Sequence, residues 1–301
     1  ELAFGLMLAC DRHIPDNVIS LREGKWNKKE FSVAKGLYGR TLGVIGFGNI
    51  AQEVVKRGRA FGMNIAVNSR WMTPEIAAEI GVTQAKTPEE LASLSDFVSV
   101  HIALNPQTKG LLGKAFFNAM RPGTIFINTS RAEVVDQAAM VTALAEKNLK
   151  AGLDVFEDEP TVAQGEYTGS LKDNPHVYTT HHIGASTDQA QDAVAAETVR
   201  IVKEFKNTGL VPNVVNVAKG ETATHLLIVR HADKVGVLAG VLEALKREGV
   251  SVQEMENIIM GGAKAAIAQI STDKEPSANV ILAIKKNADI FDAHAIPLPK
   301  H

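Results

Sequence analysis

From Thr41 to about Ser186, short apolar runs alternate with stretches whose apolar residues recur at helical spacing. The runs 41–46, 64–68, 96–101, 124–128, 151–155 and 176–180 predict strands, with a weaker one near Val82. Helix starts are written between them. Thr87-Pro88-Glu89-Glu90 is a capping box with Pro at the first helical position. Asp136 is placed to cap a helix running to Lys150, and Ser186 one running to about Asn207. Strands and helices in alternation, joined by short polar connections, predict a Rossmann-type doubly wound parallel sheet, an α/β fold.

Leu2 to Cys10 is apolar on every side, which suits a helix buried all round. It has neither an initiating Met nor a capping residue before it, and reads as a helix cut open at the start of a fragment. Beyond about 207 the chain turns polar, and residues 208–222 read as a linker. The pattern then restarts on a smaller scale over 223–301. A strand at 225–230, a helix at 236–248, a strand at 250–260, a Gly261-Gly262 hairpin turn into 263–271, a helix at 276–286 and a strand at 289–295 give the order βαββαβ.

Composition narrows the class. The 301 residues are 45% hydrophobic and 22% charged, with formal net charge -2. A nucleic-acid face would normally be basic, so none is expected. Cys10 is the single cysteine, which leaves no disulfide framework and no thiolate metal site. The longest apolar run is too short to span a bilayer and follows Glu1 without a basic leader, so no membrane association and a cytoplasmic location are expected.

The glycine turn at Gly46-Phe47-Gly48-Asn49-Ile50-Ala51 lies between a predicted strand and a predicted helix. Gly46 permits the tight turn, Gly48 lets the backbone approach a pyrophosphate, and the small Ala51 lets helix pack on strand. The helix dipole and the free N–H groups of Asn49 and Ile50 face the anion. An acid about 20 residues on would grip the ribose of NAD, but that strand end holds Asn68, Ser69 and Arg70. Ser69 and Arg70 can accept a 2′-phosphate instead, so these residues lean toward NADP.

Polar residues stand at the predicted C-terminal ends of successive strands, where ligands sit in open α/β sheets. Thr129, Ser130 and Arg131 follow one strand, Asp154 ends the next, and Glu159 follows it. His182 and Gly184 follow the last, and His101 ends an earlier one beside the cofactor cleft. An Arg can grip a carboxylate bidentately, and a His backed by a carboxylate can serve as general acid. Singly, each is as readily a turn former or a surface charge. As a row beside a dinucleotide turn they suit hydride transfer to a 2-keto acid. Two adjacent histidines, His181 and His182, without matching ligand spacing make a poor metal site, so no metal is expected.

GVIGFGNIA, VHIALNPQTKGLL, MRPGTIFINTSRAEVVD, GLDVFEDEP and TTHHIGAST resemble the D-isomer-specific 2-hydroxyacid dehydrogenases, in family order, over residues 1 to about 210. The resemblance implies that Arg131 orients the substrate and that His182 is the acid/base with Glu159 as partner. It also implies that Asp154 contacts the nicotinamide side of NAD. His181 stands where the family usually has Pro. The family places a further half-domain before Leu2, so apolar faces of Leu2–Cys10 and Val194–Phe205 are expected to be exposed as a patch. It also implies a homo-oligomer.

Arg230-His231-Ala232-Asp233-Lys234-Val235-Gly236-Val237-Leu238 resembles the opening of an ACT regulatory domain. Within the family that module marks the phosphoglycerate-oxidising members. By this resemblance His231, Asp233 and Ser251 fall at serine-binding positions, although Asn is usual at the last two. A dimerisation module without a ligand fits the same fold. Two rivals stay open: a reductase of glyoxylate or hydroxypyruvate, which the Ser69-Arg70 pair favours, and a non-enzymatic nicotinamide sensor of the corepressor type.

Overall fold

The computed structural model describes residues 1–157, 159–160, 162, 164–216 and 223–298. Asp158 and residues 217–222 of the expected linker lie outside the described residues. The chain divides into two compact units, Glu1–Glu197 and Thr198–His301.

The first unit opens with α1 (Leu2–Arg12) and α2 (Ile14–Arg22), then runs β1 (Thr41–Ile45), α3 (Asn49–Ala60), β2 (Asn64–Asn68), α4 (Pro74–Glu79) and β3 (Thr83–Gln84). It continues α5 (Pro88–Leu94), β4 (Phe97–Val100), α6 (Lys114–Ala119), β5 (Ile125–Asn128), α7 (Gln137–Lys147), β6 (Lys150–Leu153) and β7 (Val177–Thr179). The seven strands pair in parallel in the order β3-β2-β1-β4-β5-β6-β7, the doubly wound topology the alternation predicts. Side chains alternate across the sheet. Leu42 and Val44 face one layer with α1 and α3, while Ile45 faces the other with α5, α6 and α7.

The start of the chain differs from expectation. Ala3, Phe4, Leu6, Met7 and Cys10 of α1 are all buried, so no apolar patch is exposed there. The reason is Gly152 in β6. A Cβ at that position would come within 2.8 Å of Leu6 Cβ, so the missing side chain is what lets α1 lie directly on the sheet. Burial pushes the Cys10 thiol up to about 12.

Helix caps follow the sequence with small shifts. Thr87 Oγ1 accepts from Glu90 N at 3.1 Å, but Glu90 returns its bond to Lys86 N rather than to Thr87 N. Asp136 Oδ1 accepts from Ala139 N at 2.9 Å, as expected. The next helix, α8 (Asp188–Thr208), is capped by Thr187 and not Ser186, because Thr187 Oγ1 is the acceptor for Ala190 N at 3.2 Å. The division between the two units falls within α8. None of its residues is buried, and Val194, Val199, Val202 and Phe205 are exposed, as expected.

The second unit comprises β8 (His225–Ala232), α9 (Val237–Arg247), β9 (Val252–Ile259), β10 (Ala265–Thr272), α10 (Ala278–Lys285) and β11 (Ile290–Pro297). Its antiparallel sheet has the order β11-β8-β10-β9, and βαββαβ with that order is ferredoxin-like. Leu227, Val229, Val241, Leu245, Ala268 and Ile270 form its core. The β9–β10 turn is longer than two glycines. Met260 N donates to Ala265 O at 2.9 Å, so Gly261 to Lys264 are all loop.

Candidate active site

Parallel strands align their C-terminal ends, so β1, β4, β5, β6 and β7 present one continuous row of loops. Gly46 follows β1 with φ +94°, in the left-handed region that disfavours a side chain, and a Cβ there would lie 2.3 Å from His101 O. The chain order reverses between β1 and β4, which makes this the switch point of the sheet. The first bond of α3 runs from Gln52 N to Gly48 O at 3.0 Å, leaving the N–H groups of Asn49 and Ile50 at the helix's open end. A Cβ on Gly48 would meet nothing within 4 Å. That open space, with N–H donors around it, fits a pyrophosphate.

His101 turns its ring back to Ser99, with 2.8 Å between Nε2 and Ser99 Oγ. Burial pushes its pKa down to about 4, so the ring is neutral at physiological pH.

On β5, Asn128 organises the turn that carries Arg131. Asn128 Oδ1 accepts from Ser130 N at 3.0 Å and from Ser130 Oγ at 2.8 Å, and its amide donates to Arg131 O at 2.9 Å. The Arg131 side chain is exposed and donates to Ser130 O at 2.7 Å. Thr129 and Ser130 are thus held at the strand end beside it. Sequence reading passed over Asn128. Its signal was a single amide closing an otherwise apolar strand, Ile125-Phe126-Ile127-Asn128.

The loop after β7 is built on Asp154. That carboxylate is 1% exposed, yet Oδ1 accepts from Thr180 Oγ1 at 2.6 Å and Ile183 N at 2.8 Å, while Oδ2 accepts from Gly184 N at 2.7 Å. Oδ1 thus carries two loop donors and Oδ2 one, which ties the loop after β7 to the end of β6. Between these anchors His182 is held at φ 54°, left-handed backbone that costs a non-glycine residue about 1–3 kcal/mol. Its Nδ1–H donates to Glu159 Oε2 at 2.9 Å, and Glu159 is itself fixed by Phe156 N, 2.9 Å from Oε1. Nε2 is left as the atom that can exchange a proton.

Asp154→Asn keeps the shape of the anchor but turns one acceptor into a donor aimed at loop donors. We expect a loss on the order of 1–3 kcal/mol in denaturant unfolding. Faster amide exchange at Ile183 and Gly184 should accompany it. Unchanged exchange there would mean the loop does not depend on this carboxylate.

In the second unit, His231 is 1% exposed with both ring nitrogens engaged: Nδ1 donates to Ala232 O at 2.8 Å and Nε2 lies 3.1 Å from Asn257 Oδ1. Asp233 is half-buried just beyond the same strand end. Ser251 does not join them. β10 sets His231 against Ala266 but Val252 against Thr272, so Ser251 lies at the opposite end of the sheet, about 20 Å away at strand spacing.

Among the described residues, no group of three potential ligands could hold a metal, and no helix is long and apolar enough to cross a membrane. A glycine turn at the switch point, followed along the same edge by an arginine and a histidine–carboxylate pair, defines a nicotinamide-linked dehydrogenase domain. The chain matches the NAD binding domain of the D-isomer specific 2-hydroxyacid dehydrogenases over residues 4–184, and it belongs to that family.

It is 42% identical over 217 residues to a hydroxypyruvate reductase of Thermotoga maritima, covering 70% of this chain and 66% of the relative. It is 37% identical over 258 residues to a D-3-phosphoglycerate dehydrogenase of Mycobacterium tuberculosis, covering 84% of this chain and 47% of the relative. Among solved structures, a glyoxylate reductase from Paecilomyes thermophila superposes with a TM-score of 0.62 at 31% identity, covering 71% of this chain and 63% of that one. The chain thus spans about half the length of the phosphoglycerate dehydrogenase it matches.

Proposed function

We propose that the chain carries the cofactor domain and acid/base machinery of a cytoplasmic, oligomeric D-3-phosphoglycerate dehydrogenase, which converts 3-phosphoglycerate to 3-phosphohydroxypyruvate at the entry to serine synthesis. One observation supports this substrate over its neighbours. The 258-residue similarity to a phosphoglycerate dehydrogenase is longer than the whole first unit, so it extends into the ferredoxin-like unit.

Gly46, Gly48, Asn49 and Ile50 would hold the pyrophosphate of the dinucleotide, whose nicotinamide, when bound, supplies the hydride acceptor. Arg131 clamps the substrate carboxylate through paired N–H donors. His182 Nε2 takes the hydroxyl proton as the carbinol carbon is oxidised. Glu159 stabilises the imidazolium so formed and fixes the ring's tautomer through Nδ1. Asp154 and Asn128 position these groups without touching substrate.

A reductase of hydroxypyruvate or glyoxylate is the second reading, supported by the identity of 42% to the Thermotoga enzyme and by the Ser69-Arg70 pair. A substrate panel with both dinucleotides, run with and without millimolar serine, separates the two. Turnover of 3-phosphoglycerate by the full-length protein is expected. Reduction of glyoxylate or hydroxypyruvate without phosphoglycerate turnover would favour the second reading.

Serine inhibition would require His231 and Asp233 of one copy and Ser251 of another, since one copy cannot bring all three to a single small molecule. Ligand coupling of this kind is typically worth about 1–3 kcal/mol, so partial inhibition is the expected form.

A further inference from the structure

The end of β2 abuts the glycine turn, because Gly46 N donates to Asn68 O at 2.8 Å. A dinucleotide lying over Gly46 and Gly48 therefore brings its adenosine ribose to residues 68–70. An NAD-selective site needs a carboxylate there to accept from the ribose hydroxyls. None is present: the Asn68 amide is turned away and donates to Ala85 O at 2.9 Å.

The chain then makes a tight turn, closed by Met72 N on Ser69 O at 3.0 Å, that throws Arg70 and Trp71 outward. Ser69 Oγ accepts from Trp71 N at 3.3 Å, which leaves the hydroxyl proton to donate. The Arg70 guanidinium lies over the Trp71 ring, 5.0 Å from its centroid, and among the described residues no carboxylate is within ion-pair distance of it. Lys86 follows Ala85, whose N–H donates to Val67 O of β2 at 2.9 Å. The carboxylate of this corner, Glu90, is taken up by Lys86 N at 2.6 Å.

Resting on the reading of the Gly46 turn as a dinucleotide site, we propose that this chain selects the 2′-phosphorylated dinucleotide, with Ser69 and Arg70 holding the 2′-phosphate. The phosphate is close to doubly charged and planar guanidinium binds it through paired bonds, whereas the 2′-hydroxyl of NAD finds no acceptor carboxylate. Stacking on Trp71 holds the guanidinium in place before the ligand arrives, which reduces the ordering cost of binding.

Calorimetry with NADP⁺, NAD⁺, adenosine 2′,5′-bisphosphate and AMP tests this on the 301-residue chain without relying on turnover. NADP⁺ is expected to bind about tenfold or more tightly than NAD⁺, with the bisphosphate favoured over AMP in the same sense. Arg70→Ala should erase that advantage while leaving NAD⁺ affinity within about twofold, and Ser69→Asp should invert it by setting a carboxylate against the phosphate. NAD⁺ binding as tightly as NADP⁺, or Arg70→Ala weakening both alike, would overturn the proposal. A folded chain that binds neither dinucleotide would overturn the reading of the glycine turn, and this inference with it.

Discussion

In the full-length protein, His182→Asn is expected to lower turnover by about 10²–10⁴, the range that general acid–base catalysis supplies, with dinucleotide affinity unchanged. Asn is chosen because of the backbone. His182 sits at φ 54°, and Asn is among the few residues that enter the left-handed region readily. The loop held by Thr180, Ile183 and Gly184 on Asp154 should therefore keep its course, while Nε2 is gone. Steady-state rates with saturating dinucleotide read the loss, and calorimetry reads the affinity. Near-normal rates in this variant would remove His182 from the mechanism and turn attention to His181, which stands where the family usually has Pro.

Gly46→Ala should do comparable damage by another route. A Cβ at φ +94° carries strain of about 1–3 kcal/mol. It would also sit 2.3 Å from His101 O, in backbone that cannot swing aside because His101 N donates to Ile45 O at 2.8 Å. Displacing packed atoms in this way costs about another 1–3 kcal/mol. We expect a clear drop in the denaturant midpoint and loss of dinucleotide binding together. Gly48→Ala supplies the contrast. Nothing lies within 4 Å of a Cβ there and its φ is -75°, so the fold should be unaffected while dinucleotide binding weakens. A Gly46→Ala protein as stable as the parent would show that β1 and β4 are not locked together at this point.

The strands of the parallel sheet were legible because each is a short apolar run with turn chemistry at both ends, and every predicted run lies within a residue or two of a strand. The glycine turn was legible for the same reason, since its flanks declare a strand and a helix. What lay beyond the sequence was contact at a distance. Leu2 to Cys10 declares a helix that wants burial on every side, but only Gly152, some 140 positions later, makes room for it against the sheet. Asp154 could be picked out as a strand-end acid, yet its three loop donors are set by where β7 returns. Asn128 was hidden by its brevity as a signal, one amide after three apolar residues. The separation of Ser251 from His231 follows from topology: a strand and then a helix carry the chain up and back, so the next strand begins at the far end of the sheet.

The tight seat of α1 on β6 has a practical consequence. Cys10, the chain's single thiol, is fully covered there, with its Sγ 3.4 Å from where a Gly152 side chain would begin. With its proton held up to about pH 12, it offers almost no thiolate to an electrophile or oxidant at neutral pH. The native chain is thus a silent background for maleimide or spin-label chemistry. A cysteine introduced at an exposed position, such as Val194 or Phe205 of α8, would carry the label alone.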